Sequence, residues 1–226
     1  LGLILVVIAH RGQSLIAARA MALSGWRAVI LAAGAGRRFG GAKLLAPLDG
    51  VPMIRRTAQA VTAGGFDEVR IVVGEHGRAI GDALAGLNCH LVEAADWQQG
   101  MSASIRAGIA GLPDEGEGSF LFLGDMPLVP VALCGELVRL AQRSGYAARP
   151  RVDGKPGHPV CFVRSALPDL MQLSGDRGAG DALKDRPLAY RDTDDSGALL
   201  DIDDAASLAL AERAWNFFDD TATTES

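Results

Sequence analysis

Apolar positions along this chain recur in two periods, and the switches between them outline its elements. Ala28–Ala32 is a short apolar run with β-branched residues, stopped by Gly34, and it predicts a buried strand. Pro52–Ala63 carries Met53, Ala60 and Val61 on one side with Pro52 in its first turn, the pattern of an amphipathic helix. Val69–Val73 then predicts a strand, Arg78–Leu84 a helix and His90–Glu93 a third strand. Ser102–Ala110 reads as a helix capped by Ser102. Phe120–Leu123 is a buried strand ended by Gly124 and Pro127, and Val131–Arg143 is the helix that follows.

Strand and helix alternate this regularly in α/β folds, so the expectation is a three-layer domain with a mostly parallel sheet. The pattern changes after Tyr146. Tyr146–Val163 reads as two strands around a Gly154–Gly157 turn, a small β-rich lobe, followed by a loop-rich stretch to Gly197. Leu199–Asp203 predicts a last strand and Ala205–Phe218 a closing helix. Residues 26–218 are thus expected to form the domain, with 219–226 a polar tail. Residues 1–25 are an extension without an assigned role; Leu1–Ala9 lacks the cationic start of a leader and reads as a buried strand.

Composition narrows the function classes. With 49% hydrophobic and 22% charged residues among 226, the chain can build a full core. Its 22 Lys and Arg against 27 Asp and Glu give a net charge of −5, which argues against nucleic acid as a partner. Cys89, Cys134 and Cys161 are far apart with no CxxC pair, so they read as small apolar residues of a reducing cytoplasm. No apolar run approaches the roughly 20 residues of a membrane helix, and no membrane partner is expected.

The strongest chemical signal is the loop after the first strand, from Leu31, Ala32, Ala33, Gly34, Ala35 and Gly36 through Arg38 to Lys43. Glycines let backbone N–H groups converge on an anion, and Arg38 and Lys43 add positive charge, a combination suited to a polyphosphate. The competing reading is a glycine-rich turn with solvated basic residues. Gly41-Ala42-Lys43-Leu44 breaks the P-loop pattern of adjacent Gly-Lys followed by Ser or Thr. A dinucleotide loop needs an acid about 20 residues on. At the end of the second predicted strand, where that acid belongs, the first candidate is Glu75, 41 residues after Gly34.

Asp125, in Gly124-Asp125-Met126-Pro127, is delivered to the carboxyl end of a buried strand, where open α/β sheets bind ligands. A carboxylate beside a polyphosphate loop is a natural Mg²⁺ ligand, although Asp125 could simply cap the Pro127 turn. Asp201 and Asp203 would share one face of the last predicted strand, and either could complete the ion's shell. Asp204 reads as a helix cap.

These segments, together with Asp96-Trp97-Gln98-Gln99-Gly100-Met101-Ser102-Ala103-Ser104, Gly157-His158-Pro159-Val160 and Gly175-Asp176-Arg177-Gly178-Ala179-Gly180, occur in the order found in the MobA-like nucleotidyltransferases. Within that group the chain most resembles the molybdenum cofactor cytidylyltransferases, over about Ala28 to Ala211. The resemblance implies a Rossmann-like nucleotide-binding half of the nucleotide-diphospho-sugar transferase type. It implies that Leu31–Gly36 hold the nucleotide, that Arg38 and Lys43 meet its phosphates, and that Gln99, Gly100, Ser102 and Ser104 lie against it. Asp125 would bind Mg²⁺ with Asp201 as first-choice partner and Asp203 as second. Gly157, His158 and Pro159 would sit at the pterin-phosphate side, with Arg177 on the acceptor phosphate. Ala33, where guanylyl-transferring relatives tend to carry Gly, favours cytosine.

The implied reaction is CMP transfer from CTP to the terminal phosphate of molybdenum-loaded molybdopterin, with a molybdenum hydroxylase or its maturation chaperone as the downstream protein partner. Alternatives are guanylyl transfer, transfer to a sugar or alcohol phosphate, a pterin-delivery module without turnover, and a nicotinamide-dependent reductase.

Overall fold

A computed structural model of the chain describes residues 23–34, 36, 41–204, 206–213 and 215. Its centre is an eight-stranded sheet. In chain order the strands are β1 (Trp26–Ala32), β2 (Pro47–Leu48), β3 (Val51–Pro52), β4 (Glu68–Val73), β5 (His90–Glu93), β6 (Gly118–Leu123), β7 (Ala147–Val152), β8 (Lys155–Pro156), β9 (Val160–Val163) and β10 (Leu188–Asp192). The main sheet runs β10-β7-β9-β6-β1-β4-β5, with β8 paired to β7, while β2 and β3 form a separate two-stranded sheet. The pairs β1–β4, β1–β6, β4–β5 and β7–β10 are parallel, and β9 runs antiparallel to both β6 and β7.

The helices are α1 (Met53–Thr62), α2 (Gly77–Ala83), α3 (Met101–Ile109), α4 (Cys134–Ser144), α5 (Leu167–Leu170), α6 (Ala179–Ala182) and α7 over residues 206–213. On α1 the buried Met53, Ile54, Thr57, Ala58 and Val61 follow the helical period; on α4 so do Cys134, Leu137, Val138 and Ala141. Alternation along β1 sends Ala28, Ile30 and Ala32 into the core beneath α1 and α4, and Val29 into the core beneath α3. On the first face Phe120 contacts Trp26 and Phe66 edge-on, at centroid distances of 5.7 and 5.3 Å. The result is the expected α/β sandwich of three layers.

The structure departs from the pattern in four places. The strands of Tyr146–Val163 form no separate lobe: β9 inserts between β6 and β7, so that segment is part of the main sheet. The stretch before Gly197 is less loop-rich than its composition suggests, because it carries α5, α6 and the edge strand β10. Residues 199–203 are not a strand; their alternation reflects Ile202, fully buried against Leu48, Met53 and Ala211, and the acids beside it turn outward without a partner strand. Finally α3 begins at Met101 with Gly100 at its cap, and Ser102 is buried inside the first turn. The expectations for residues 1–22 and 216–226 lie outside the described residues.

Candidate active site

Strand register sets the site's position. Ala32 of β1 is level with Val73 of β4, and Leu31 is level with Leu123 of β6, so the loops after all three strands open on one edge of the sheet. The chain leaves β1 for β4 on one side and returns to β6 on the other, and such a switch of direction leaves a crevice between the diverging loops. A cleft of about 800 Å³ lies there. Leu31, Ala32, Ala33, Gly34, Gly36 and Lys43 line one wall; Gly100 and Ser104 line another, and Asp125, Asp201 and Asp203 stand at its acidic end.

Two glycines shape these walls. Gly36 has φ +62°, and a β-carbon there would lie 2.4 Å from the Gly41 carbonyl oxygen and 2.9 Å from Lys43 Cβ. Only glycine lets the loop fold back closely enough to bring Lys43 into the cleft. Gly100 has φ +110°, and its absent β-carbon leaves room for the Gly175–Asp176 backbone and the Asp176 Oδ1, which would lie 2.6 and 2.4 Å away. Gly100→Ala is therefore expected to expel that loop, weakening nucleotide affinity at least tenfold and lowering the melting temperature by several degrees. Unchanged affinity and melting in this variant would remove the loop from the site.

Asp125 is held by its backbone. The Gly124 N–H donates to Leu31 O at 2.9 Å, and the hydroxyl of Thr57, fully buried on α1, bonds to Gly124 O at 3.0 Å. The Ile202 N–H donates to Asp125 O at 3.1 Å, which draws the 201–204 segment to the end of β6. Sequence positions 77 apart thereby become neighbours. Lys43 Nζ lies 2.7 Å from Asp125 Oδ2 and 2.6 Å from Asp203 Oδ1.

The charges are unbalanced. Burial lowers the Lys43 pKa, but its hydrogen bonds to and attraction by Asp125 and Asp203 outweigh that and raise it overall, so it is a full cation. Burial, together with the charges of Asp203 and Asp125, pushes the Asp201 carboxyl up from its usual value. Asp125 Oδ1 is buried and accepts no hydrogen bond. Among the described residues no three acid, imidazole or thiolate groups are gathered for a metal ion, and the Lys43 ammonium bridges Asp125 and Asp203. Even so, the orphaned Oδ1 and the crowding at Asp201 are what a hard, oxygen-seeking cation would relieve.

Other expected residues fall elsewhere. Gln99 is exposed, and its neighbours Trp97 and Gln98 line the cleft instead. Ser102 is fully buried and accepts a hydrogen bond from Arg106 at 3.2 Å. Arg177 is exposed while the adjacent Asp176 lines the cleft. Gly157, His158 and Pro159 lie outside the cleft lining; Gly157 packs on Ala198, and the His158 N–H donates to Ala198 O at 2.8 Å. Asp204 caps α7, accepting from the Ser207 N–H at 2.7 Å. Ala35 and Arg38 lie outside the described residues. Trp97 and Asp176 line the cleft as well; both stand in motif segments that gave them no role, and a β-carbon at Gly74 would meet Trp97 Cγ at 2.8 Å.

Comparisons with known proteins place the chain in a family and match its fold. The family described as the MobA-like NTP transferase domain matches residues 28–192. The nicotine blue oxidoreductase of Paenarthrobacter nicotinovorans is 34% identical over 169 residues, covering 70% of this chain and 81% of that protein. Among solved structures, Rv0371c of Mycobacterium tuberculosis H37Rv superposes with a TM-score of 0.74 at 24% identity, over 84% of this chain and 99% of that one. A further structure of Rv0371c is a complex with manganese, with a TM-score of 0.68 at 24% identity, over 84% and 98%. Molybdopterin-guanine dinucleotide biosynthesis protein A of Archaeoglobus fulgidus gives 0.65 at 18% identity, over 84% and 98%.

Proposed function

Because the chain belongs to the MobA-like NTP transferase family, and so is a nucleotidyltransferase, we propose that it transfers CMP from CTP to the terminal phosphate of molybdenum-molybdopterin, releasing pyrophosphate. The observation that carries this reading is the meeting of Asp125, Lys43 and Asp203 at the mouth of the glycine-lined cleft. The names of the A. fulgidus and manganese-bound neighbours support the acceptor class and a divalent metal. The methyl group of Ala33 supports cytosine over guanine by resemblance.

The chemistry needs little from a general base. A phosphomonoester acceptor is largely a dianion at neutral pH, with a second pKa near 6. The barrier is the approach of two anions, so this chain's work is positioning and charge neutralisation. Gly34 and Gly36 leave the loop backbone open to the phosphates, and Lys43 neutralises them, a task the resemblance extends to Arg38. Asp125, Asp201 and Asp203 are the residues that would hold Mg²⁺, Asp125 through its unpartnered Oδ1. The ion, when bound, supplies screening between nucleotide and acceptor phosphates. Ser104 and the first turn of α3 face the nucleotide.

The test is a panel of nucleoside triphosphates supplied with molybdenum-loaded pterin and Mg²⁺, followed by pyrophosphate release. CTP consumption with a cytosine dinucleotide product is expected. Preferential use of GTP would transfer the reading to guanylyl transfer. The relative named an oxidoreductase favours a second reading, in which the cleft takes a reduced nicotinamide nucleotide. NADPH or NADH oxidation without pyrophosphate release would establish that reading in place of ours.

A further inference from the structure

Lys43 faces two partners that compete for one ammonium. It shares the glycine-lined wall with Gly34 and Gly36, where a polyphosphate would meet it. In the chain by itself, however, its Nζ lies 2.7 Å from Asp125 Oδ2 and 2.6 Å from Asp203 Oδ1. Hydrogen bonds between ionised groups are strong, and one ammonium cannot serve both carboxylates and a phosphate chain in full. What lets it change partners is the contrast between its backbone and its side chain. Lys43 opens a short 3-10 turn, Lys43–Leu45, in which its carbonyl accepts from the Ala46 N–H at 3.0 Å and Leu44 is buried in the core. Beyond that fixed turn the side chain is a flexible stem that ends in a point charge.

The two carboxylates are held differently. Asp125 is fixed at the end of β6, whereas the Asp203 side chain is 57% exposed and stands on a segment whose apolar anchor is the small cluster of Ile202 with Leu48, Met53 and Ala211. The ammonium is therefore a strut that draws Asp203 towards Asp125. It is also a mask. With Lys43 in place the two acids offer an incoming cation one net negative charge, and with Lys43 withdrawn they offer two. A divalent ion suits the second state, because like charges a few ångströms apart repel strongly in a partly buried site.

We propose that Lys43 is a placeholder: it occupies the Asp125–Asp203 pair until the polyphosphate of a nucleotide draws the ammonium away, and the freed carboxylates then accept a divalent cation. The nucleotide thus loads the metal site, and bare metal is kept out of it. By linkage, whatever factor the nucleotide adds to metal affinity the metal adds to nucleotide affinity. The exchange rests on the nucleotidyltransferase reading for a polyphosphate in the cleft and for Asp125 as a metal ligand, but not on which base is bound or which acceptor is used.

The chain has three lysines, and Lys155 and Lys184 are exposed, so the side-chain resonance of Lys43 can be followed in protein carrying isotope-labelled lysine and identified by its loss in Lys43→Arg. Inorganic triphosphate added with a chelator should move that resonance in the unaltered chain, whereas Mg²⁺ alone should leave it in place. Mn²⁺ binding in the absence of any phosphate, followed by electron paramagnetic resonance, should be at least about tenfold tighter in Lys43→Met than in the unaltered chain. It should stay weak in Lys43→Arg, which keeps the charge. A Lys43 resonance that triphosphate leaves unmoved, or that Mg²⁺ alone displaces, would overturn the exchange. So would an Mn²⁺ affinity in Lys43→Met equal to or below that of the unaltered chain. The predicted shifts without transfer of any nucleotide would instead count against the reaction and leave the exchange standing.

Discussion

Asp125→Asn is expected to reduce turnover by roughly a thousandfold or more while leaving the fold intact. The amide keeps the shape of the side chain and an oxygen that can accept from Lys43, so the 2.7 Å contact survives in weakened form. What disappears is the negative charge on the buried Oδ1, the atom that no protein donor satisfies. Charge crowding around Asp201 also falls, because Asp125 is one of the two carboxylates that raise its pKa. The melting temperature should therefore hold steady or rise slightly. Activity and melting measured on the same preparation check this, and an active, equally stable variant would mean that Asp125 only closes the Pro127 turn.

Lys43→Met should be damaging in a different way. The ammonium bridges Asp125 and Asp203, and only 11% of its side chain is exposed. Without it those carboxylates lose a counter-charge that they share at the mouth of the cleft. Asp203 is largely open to water at 57% exposure, which weakens the loss, so about 1–2 kcal/mol of stability and a few degrees of melting temperature are expected to go. Nucleotide KM should rise and kcat fall, together costing about 100- to 1000-fold in kcat/KM. Added Mg²⁺ should restore part of the melting temperature by taking over the bridging, but little of the rate. Kinetics and melting that match the unaltered chain would make Lys43 a surface residue in effect.

The pattern of apolar runs was enough for the parallel core because β1, β4 and β6 each end in an unbroken apolar stretch, Ala28–Ala32, Ile71–Val73 and Phe120–Leu123, most of it buried. It failed where burial is one-sided. The sequence Leu188-Ala189-Tyr190-Arg191-Asp192 lies at the sheet edge, where half its residues meet water, and nothing in its composition separates it from a loop. Residues 199–203 failed in the opposite sense. Ile202 between Asp201 and Asp203 imitates a strand, yet the burial comes from a small cluster with Leu48 and Met53, and no strand pairs with it.

The site was legible in part for the same reason. Glycines and basic residues after a buried strand announce an anion loop, and an acid at the end of another announces a polar group at the sheet's open edge. Which acid of the pair around Ile202 meets Lys43 depends on how that segment turns after Leu199, and the answer, Asp203, is set by tertiary packing. Asp176 was hidden because its approach relies on the missing side chain of Gly100, a contact between positions far apart in the chain.

The most direct test of the central claim is the affinity for Mn²⁺ followed by electron paramagnetic resonance, with a non-hydrolysable CTP analogue present and with Asp125→Asn alongside. One bound ion per chain, dependent on the analogue and weakened at least about tenfold by the substitution, is the predicted result. Binding of equal strength in both proteins, or none in either, would contradict a metal-bridged transfer at this cleft.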